Sequence, residues 1–315
     1  MMIKNIAVLG GGTMGHGIAE SFALHGYSVN VYEYDETIRT HMMEAIESEL
    51  TFLYEQSYID VADIAATLGR IKVFDSMKDA TIDADYIIEA VAENIDLKCK
   101  IFKELDGYCK AEAIFATNTS SLSLDKMISA VSAERQTKMM VCHWYNPAHL
   151  MPIAELSNFG NMPEVIYKEV EQLYLNIDKQ VVTILKDVPG LVANRIQQAV
   201  AREVFSLIEL GVATPEDIDK ALKFGPAFRY ATTGQLEVAD MGGLDIWCIV
   251  GDNLLKDMDN RKEANPILRK KVEEGKLGMK SGEGFFKYTD QMRIQCKNDF
   301  NKRLITQLKT SKKYI

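Results

Sequence analysis

The chain has 315 residues, is 47% hydrophobic and 26% charged, and carries a formal net charge of −9. That length exceeds what one simple core holds and points to two domains, and the composition excludes a disordered chain. The acid excess excludes a general attraction for nucleic acid or anionic membrane, and no apolar run reaches the ~18 residues of a membrane span.

In chain order, residues 3–9 read as a buried strand rather than a signal peptide, because the apolar run is short and ends in glycines. A helix follows the glycines and ends at Gly26, and residues 28–33 form a second strand. Helical patterns cover 36–55 and 60–68, strands 71–74 and 85–91, a helix about 95–108, and strands 113–118 and 138–145. Two last strands, 152–157 and 180–185, flank a helix that starts at Pro163. Strands alternating with helices predict a mostly parallel, doubly wound sheet of the Rossmann type. After a change of character near residue 187 only helical periodicity remains, over about 191–210, 215–223, 231–256 and 264–274. Thr214-Pro215 reads as an N-cap with proline at the first helical position. The expected domains are thus 1–187, α/β, and 188–315, all-α. The basic tail, about 290–315, places Ile294, Phe300, Leu304 and Leu308 on a helical stripe, which predicts a docking helix, with a solvated tail as the alternative.

Cys99, Cys109, Cys142, Cys248 and Cys296 are odd in number, irregularly spaced and contain no C-x-x-C. Neither disulfides nor a metal site is expected, and a reducing cytoplasm fits. Cys142 adjoins His143, but neighbours in a strand face opposite ways, so it is not read as a nucleophile.

Gly10, Gly12 and Gly15 form G-x-G-x-x-G between a strand and a helix. The first allows a tight turn, the second lets backbone approach a pyrophosphate, and the third packs helix on strand. Glu33, at the end of the second strand, is placed to accept both ribose hydroxyls and to repel the extra phosphate of NADP, so NAD is expected. A flavin can use the same turn, but no second flavin signature follows. The segment VCHWYNPAHLMPIAEL, 141–156, sets His143 at the carboxyl end of a strand, where open α/β sheets place their ligands. Asn146-Pro147 breaks the strand, and a return through Pro152 brings Glu155 alongside. A carboxylate on one ring nitrogen leaves the other free as a base; the alternative is a buried pair with a structural role only. His149 reads as a loop residue.

These motifs, together with EAVAENIDLK at 89–98, NTSSL at 118–122, VPGLVANR at 188–195 and KSGEGFFKY, resemble the 3-hydroxyacyl-CoA dehydrogenases, including the bacterial 3-hydroxybutyryl-CoA dehydrogenases, over roughly 3–288. The resemblance implies a Rossmann-like N-terminal domain, a helical C-terminal domain that forms a homodimer, and an active site in the cleft between them. It also implies NAD-dependent oxidation of an L-3-hydroxyacyl substrate. By that resemblance His143 is the base, Glu155 its paired carboxylate, and Ser120 and Asn194 contact the substrate oxygen. Thr13, Met14, Glu93, Lys98, Asn118, Ser120 and Asn146 fall at or near the cofactor. Oxidation is expected to rise with pH as His143 loses its proton.

Two departures bear on substrate. CoA-using members carry lysines in the arm after the second strand. Here 36–70 holds Glu36, Glu44, Glu47, Glu49, Glu55, Asp60 and Asp63 against Arg39 and Arg70, a poor match for the phosphates of CoA. The stretch GPAFRYATTGQLE, 225–237, looks more like relatives that oxidise small free acids, such as the gulonate and carnitine dehydrogenases. Arg229 there is either a carboxylate anchor or a member of an ion pair. The family label predicts a hydroxyacyl-CoA, which is the first expectation here; the charge pattern argues for a smaller acid, which is the alternative. An NAD-binding protein without catalysis is the reading from another class, and the intact Ser120, His143, Glu155 and Asn194 set argues against it. A nucleic-acid binder using the basic tail is a third, opposed by the acidity of the rest.

Overall fold

The computed structural model describes residues 3–313. Eight strands, β1 (Asn5–Leu9), β2 (Ser28–Tyr32), β3 (Ile71–Phe74), β4 (Tyr86–Glu89), β5 (Ile114–Thr117), β6 (Met139–Trp144), β7 (Ile153–Ser157) and β8 (Gln180–Ile184), form one sheet in the order β3-β2-β1-β4-β5-β6-β7-β8. The helices among them are α1 (Gly15–Leu24), α2 (Glu36–Glu55), α3 (Val61–Leu68), α4 (Met77–Thr81), α5 (Ile95–Asp106), α6 (Leu124–Ile128), α7 (Ala133–Gln136) and α8 (Glu164–Leu175). All strand pairs are parallel except β6 with β7, whose short connection is a hairpin-like return with no room for a crossover. The doubly wound α/β architecture is the expected one. Its central strands, β1 and β4 to β7, are almost wholly buried runs, as a sheet covered on both faces requires, and the edge strands β3 and β8 are only partly covered.

Side-chain caps begin several helices. Asp35 accepts from the N–H groups of Thr37 and Ile38 to start α2, and Asn94 accepts from Leu97 to start α5. The one-turn helices α4, α6 and α7 fall in segments to which the sequence assigned no element, because a single turn shows no hydrophobic period.

The helical unit contains α9 (Ala193–Glu209), α10 (Pro215–Phe224), α11 (Pro226–Tyr230), α12 (Gln235–Gly242), α13 (Leu244–Leu254), α14 (Pro266–Glu273) and α15 (Asp290–Ser311). Thr214 caps α10 by accepting from Asp217 N–H, with Pro215 next, as predicted. The helix predicted over 231–256 is instead two helices, α12 and α13, divided at Gly243, whose φ of +89° no helix can hold. The tail is a helix, but its buried residue is Ile305, flanked by half-buried Leu304 and Leu308. The predicted stripe is displaced, because Ile294 and Phe300 are exposed.

The compact units divide after Val192. The segment following residue 187 stays with the sheet unit, where Leu191 is buried and Gly190 N–H bonds Ser120 C=O at 2.9 Å. Among the described residues no helix is long and apolar enough to cross a membrane.

Candidate active site

The glycine turn lies where the strand order reverses, between the carboxyl ends of β1 and β4. Gly10 has φ of +98°, and a Cβ there would stand 2.9 Å from Ala90 O. A Cβ on Gly15 would stand 1.7 Å from Gly10 O, so the helix can approach the turn only with glycine. Gly12 differs: a Cβ there would meet nothing within 4 Å. Its side of the turn faces open space, which suits a ligand. Thr13 and Met14 complete the turn, and α1 then starts with no side-chain cap and no acid in its first turn. Its uncapped N–H groups and dipole suit a pyrophosphate. Glu33 is buried just beyond β2, with Oε2 accepting from Gly11 N–H at 2.7 Å and Oε1 from Asp35 N–H at 2.9 Å. The residues present therefore fit a dinucleotide with free ribose hydroxyls.

Beside the turn lies a network that sequence reasoning missed in part. Lys98 is buried and meets both oxygens of Glu89 at 2.9 Å and Glu93 at 3.1 Å. Glu89 also accepts from the Thr117 hydroxyl and Val91 N–H, both at 2.7 Å. Burial raises the Glu89 carboxyl against the pull of Lys98. Burial would raise Glu93 too, but donation from Thr119, Lys98 and Ser121 outweighs it and holds this carboxyl below its usual range. Lys98 thus has three carboxylate oxygens around it, and a direct contact with cofactor would compete with them. Glu89 reads in sequence as the polar end of a strand; a lysine nine residues later on a capped helix was the only hint of a partner. Asn118, after β5, accepts from Trp144 N–H at 2.8 Å and so ties the NTSSL segment to β6.

His143 and Glu155 are directly opposed in the β6–β7 register, and Nδ1 lies 2.7 Å from Oε2. Both are buried, Glu155 completely. The second carboxylate oxygen, Oε1, accepts from Val192 N–H at 2.9 Å, which fixes the carboxylate plane. An ionised carboxylate only accepts, so beside a charged Glu155 the neutral ring carries its proton on Nδ1 and its lone pair on Nε2. Cys142 has the opposite orientation, fully buried, its thiol pushed up to about 12 by burial despite hydrogen bonds with Tyr174 and Tyr86. Such a thiol is inert.

Ser120 is half-buried in the segment after β5, and Asn146 is exposed after β6. Asn194 and Arg229 belong to the other unit: Asn194 opens α9, and Arg229 lies on α11. Arg229 is exposed and forms no ion pair among the described residues. His149 lies in the loop between β6 and β7, as expected, and its side chain turns inward. Its Nδ1 lies 3.7 Å from Glu49 Oε2, and it packs on Gly17, whose missing side chain makes room for it.

The family model described as 3-hydroxyacyl-CoA dehydrogenase, NAD binding domain, matches residues 5–188, and its C-terminal domain counterpart matches 190–288. The chain is 34% identical over 294 residues to 5-formyl-3-hydroxy-2-methylpyridine 4-carboxylate 5-dehydrogenase of Mesorhizobium japonicum, covering 92% of each chain. A crystal structure of an NAD+-dependent enzyme of that name superposes with a TM-score of 0.88 at 32% identity, covering 97% of both chains. The (S)-3-hydroxybutyryl-CoA dehydrogenase of Ralstonia eutropha superposes with a TM-score of 0.73 at 32% identity, covering 91% of this chain and 100% of that one. With the phosphate turn, the ribose acid and both family models in agreement, the chain belongs to the 3-hydroxyacyl-CoA dehydrogenase family and is an NAD-dependent dehydrogenase acting on a CH–OH group.

Proposed function

We propose that the protein oxidises the hydroxyl of a small free carboxylic acid, with His143 as base, Glu155 as its orienting carboxylate and Arg229 as the carboxylate anchor. The observation that carries the substrate class is the arm after β2. Its two arginines are half-buried and engaged with backbone: Arg39 donates to the carbonyls of Glu33 and Tyr34 at 2.8 and 3.2 Å, and Arg70 to that of Ala23 at 3.0 Å. Residues 36–70 contain no lysine, and Glu36, Glu44, Glu47, Glu55 and Asp60 are exposed. This surface repels the 3′-phosphate and pyrophosphate of CoA. Arg229, exposed and without an ion pair, has the fork geometry for a carboxylate. The relative from Mesorhizobium is named as a dehydrogenase of a pyridine carboxylate, which is consistent with this reading.

In the forward direction neutral His143 takes the hydroxyl proton at Nε2. The resulting imidazolium is held against Glu155, in a buried setting where the pairing is stronger than in water. When bound, NAD supplies the hydride acceptor. Ser120 and Asn194 are assigned the reacting oxygen, and protonated His143 is the acid in reverse. A second reading, an L-3-hydroxyacyl-CoA substrate, is favoured by the family description and the Ralstonia relative's printed name. We infer further that the helical unit forms a homodimer, because α12 and α13 leave Leu236, Met241, Leu244, Ile249 and Leu254 exposed. The five free cysteines fit a cytoplasmic protein.

The test compares initial rates of NADH formation or consumption with 3-hydroxybutyryl-CoA and acetoacetyl-CoA against free 3-hydroxybutyrate, gulonate and carnitine, for wild type and Arg229→Ala. A free acid is expected to win, with KM raised ~10-fold or more by Arg229→Ala, the loss of a charged hydrogen bond. A CoA thioester winning by orders of magnitude, with Arg229→Ala indifferent, would return the protein to the second reading.

A further inference from the structure

One cluster of titratable groups has no part in the hydride chemistry. It joins α1, α2 and the loop between β6 and β7. Glu20 of α1 is completely buried, and no protein group donates a hydrogen bond to either of its carboxylate oxygens. Lys179, the nearby cation, is turned elsewhere: its Nζ donates to the carbonyls of Ala148 and Met151, each at 2.7 Å. Glu49 of α2 stands beside Glu20 and meets His16 Nε2 at 3.2 Å and His149 Nδ1 at 3.7 Å. One ligand atom from each of Glu20, Glu49 and His149 fits within a 4.8 Å span.

Two carboxylates this close and this dry need a positive charge between them. A proton on Glu20 could be shared with Glu49, but it engages one Glu20 oxygen and leaves the other buried with no donor. A cation bound by the carboxylate satisfies the pair. The donor set is two carboxylates and an imidazole, which suits zinc-like transition metals rather than the all-oxygen shells of calcium or magnesium. The 3.7 Å between His149 Nδ1 and Glu49 Oε2 is close to the edge of about 3.3 Å expected for a tetrahedral zinc shell with bonds of about 2.0 Å.

We propose that Glu20, Glu49 and His149 bind a divalent transition metal of the zinc type, with His16 Nε2 or water completing the shell. The sequence reading expected no metal, because it looked to cysteine spacing. The ion would be structural. It would clip the loop that runs from His143 to Glu155 onto α1, the helix that follows the phosphate turn, while His16 Nδ1 bonds Gly12 C=O at 2.7 Å. The proposal is independent of which acid is the substrate.

The experiment uses tag-free full-length protein. Metal content is measured by inductively coupled plasma mass spectrometry as purified, and again after chelation and dialysis against Zn2+. Chelated protein is also titrated with Co2+, and thermal unfolding is followed throughout. The expected result is one metal per chain, visible d–d bands of bound cobalt, and a Tm rise of about 5 °C at hundredfold excess over Kd. Glu20→Gln and His149→Gln should each weaken binding ~100-fold or more while NAD binding persists. Chelated wild type that shows neither cobalt bands nor a Tm shift overturns the proposal and leaves a shared proton as the cluster's charge. A metal response unchanged in both variants overturns it too, since the ion then sits elsewhere.

Discussion

In the sheet unit the buried charges beside the glycine turn and across β6 and β7 close on one another, whereas in the helical unit apolar side chains stay open. Lys98 of α5 with Glu89 and Glu93, and His143 of β6 with Glu155 of β7, have nearly every polar atom engaged. From residue 193 onward, only Ile218, Val238, Ala239 and Ile305 are buried hydrophobics among the described residues, while Trp247, Ile249 and Leu254 are exposed. One unit is organised around fixed electrostatics and the other around unsatisfied apolar surface. Function in the first should therefore be sensitive to single charges, and assembly in the second to single apolar groups.

The largest expected effect is at the pair proposed to do the chemistry. His143→Ala should lower kcat by ~10²–10⁴-fold with NAD binding retained, the range for loss of a general base. Glu155→Gln keeps shape but removes the charge that stabilises the imidazolium, so kcat should fall with KM little changed. Single-turnover rates at saturating NAD separate this from slow product release. A kcat within tenfold of wild type for His143→Ala would mean that the pair is structural only.

Next comes stability. Lys98→Met strands Glu89, fully buried, without its countercharge and should destabilise the fold by ~3–5 kcal/mol. The exposed Lys220–Asp217 pair of the helical unit is the control, and Lys220→Met should leave the urea midpoint where it was. Equal shifts for the two variants would erase the contrast between the units. On the apolar side, Ile249→Asp should convert a dimer to a monomer in sedimentation velocity without loss of helical circular dichroism. A wild-type monomer at micromolar concentration would show that the exposed face has some other use.

Much of this was legible in the chain itself, for physical reasons. The eight strands are short apolar runs bounded by glycine or polar residues, so their limits could be read to within a few residues. His143 and Glu155 are separated by Asn-Pro and a second proline, a spacing that favours a return, and the structure sets them face to face. Other features left no local mark. Glu20 looks like any polar residue on an amphipathic helix until Glu49 and His149, distant in sequence, arrive beside it. Glu89 resembles a strand end, though it is the best-bonded carboxylate in the cofactor half. Gly243 sits inside a continuous helical pattern in the sequence, and only its positive φ shows that α12 and α13 cannot be continuous. Burial between distant segments is what periodicity cannot report.

The smallest effect tests whether the sheet unit keeps a cation neutral. Burial lowers Lys179 to about 7, although Glu20 and Asp178 pull it up. In the unfolded chain a lysine titrates near ~10.4. Between these values the unfolded chain holds a proton that the folded chain has released, so stability rises with pH; below about 7 both states are protonated and the folded state carries the ammonium at full desolvation. Cys142 acts in the opposite sense, since its thiol, pushed up to about 12, stays protonated when the unfolded thiol ionises above ~8.5. Glu20, raised well above the carboxylate range by burial and by Glu49, also opposes it, so the Lys179 contribution from about pH 7 to ~8.5, at most ~2 kcal/mol, is read as the difference between wild type and a variant. The urea midpoint should rise more steeply with pH for wild type than for Lys179→Met, which is less stable throughout because the carbonyls of Ala148 and Met151 lose their donor. Parallel profiles would mean that Lys179 is charged when folded. The two carbonyls and the Trp144 ring, 4.6 Å from Nζ, would then be holding an ammonium under the loop between β6 and β7.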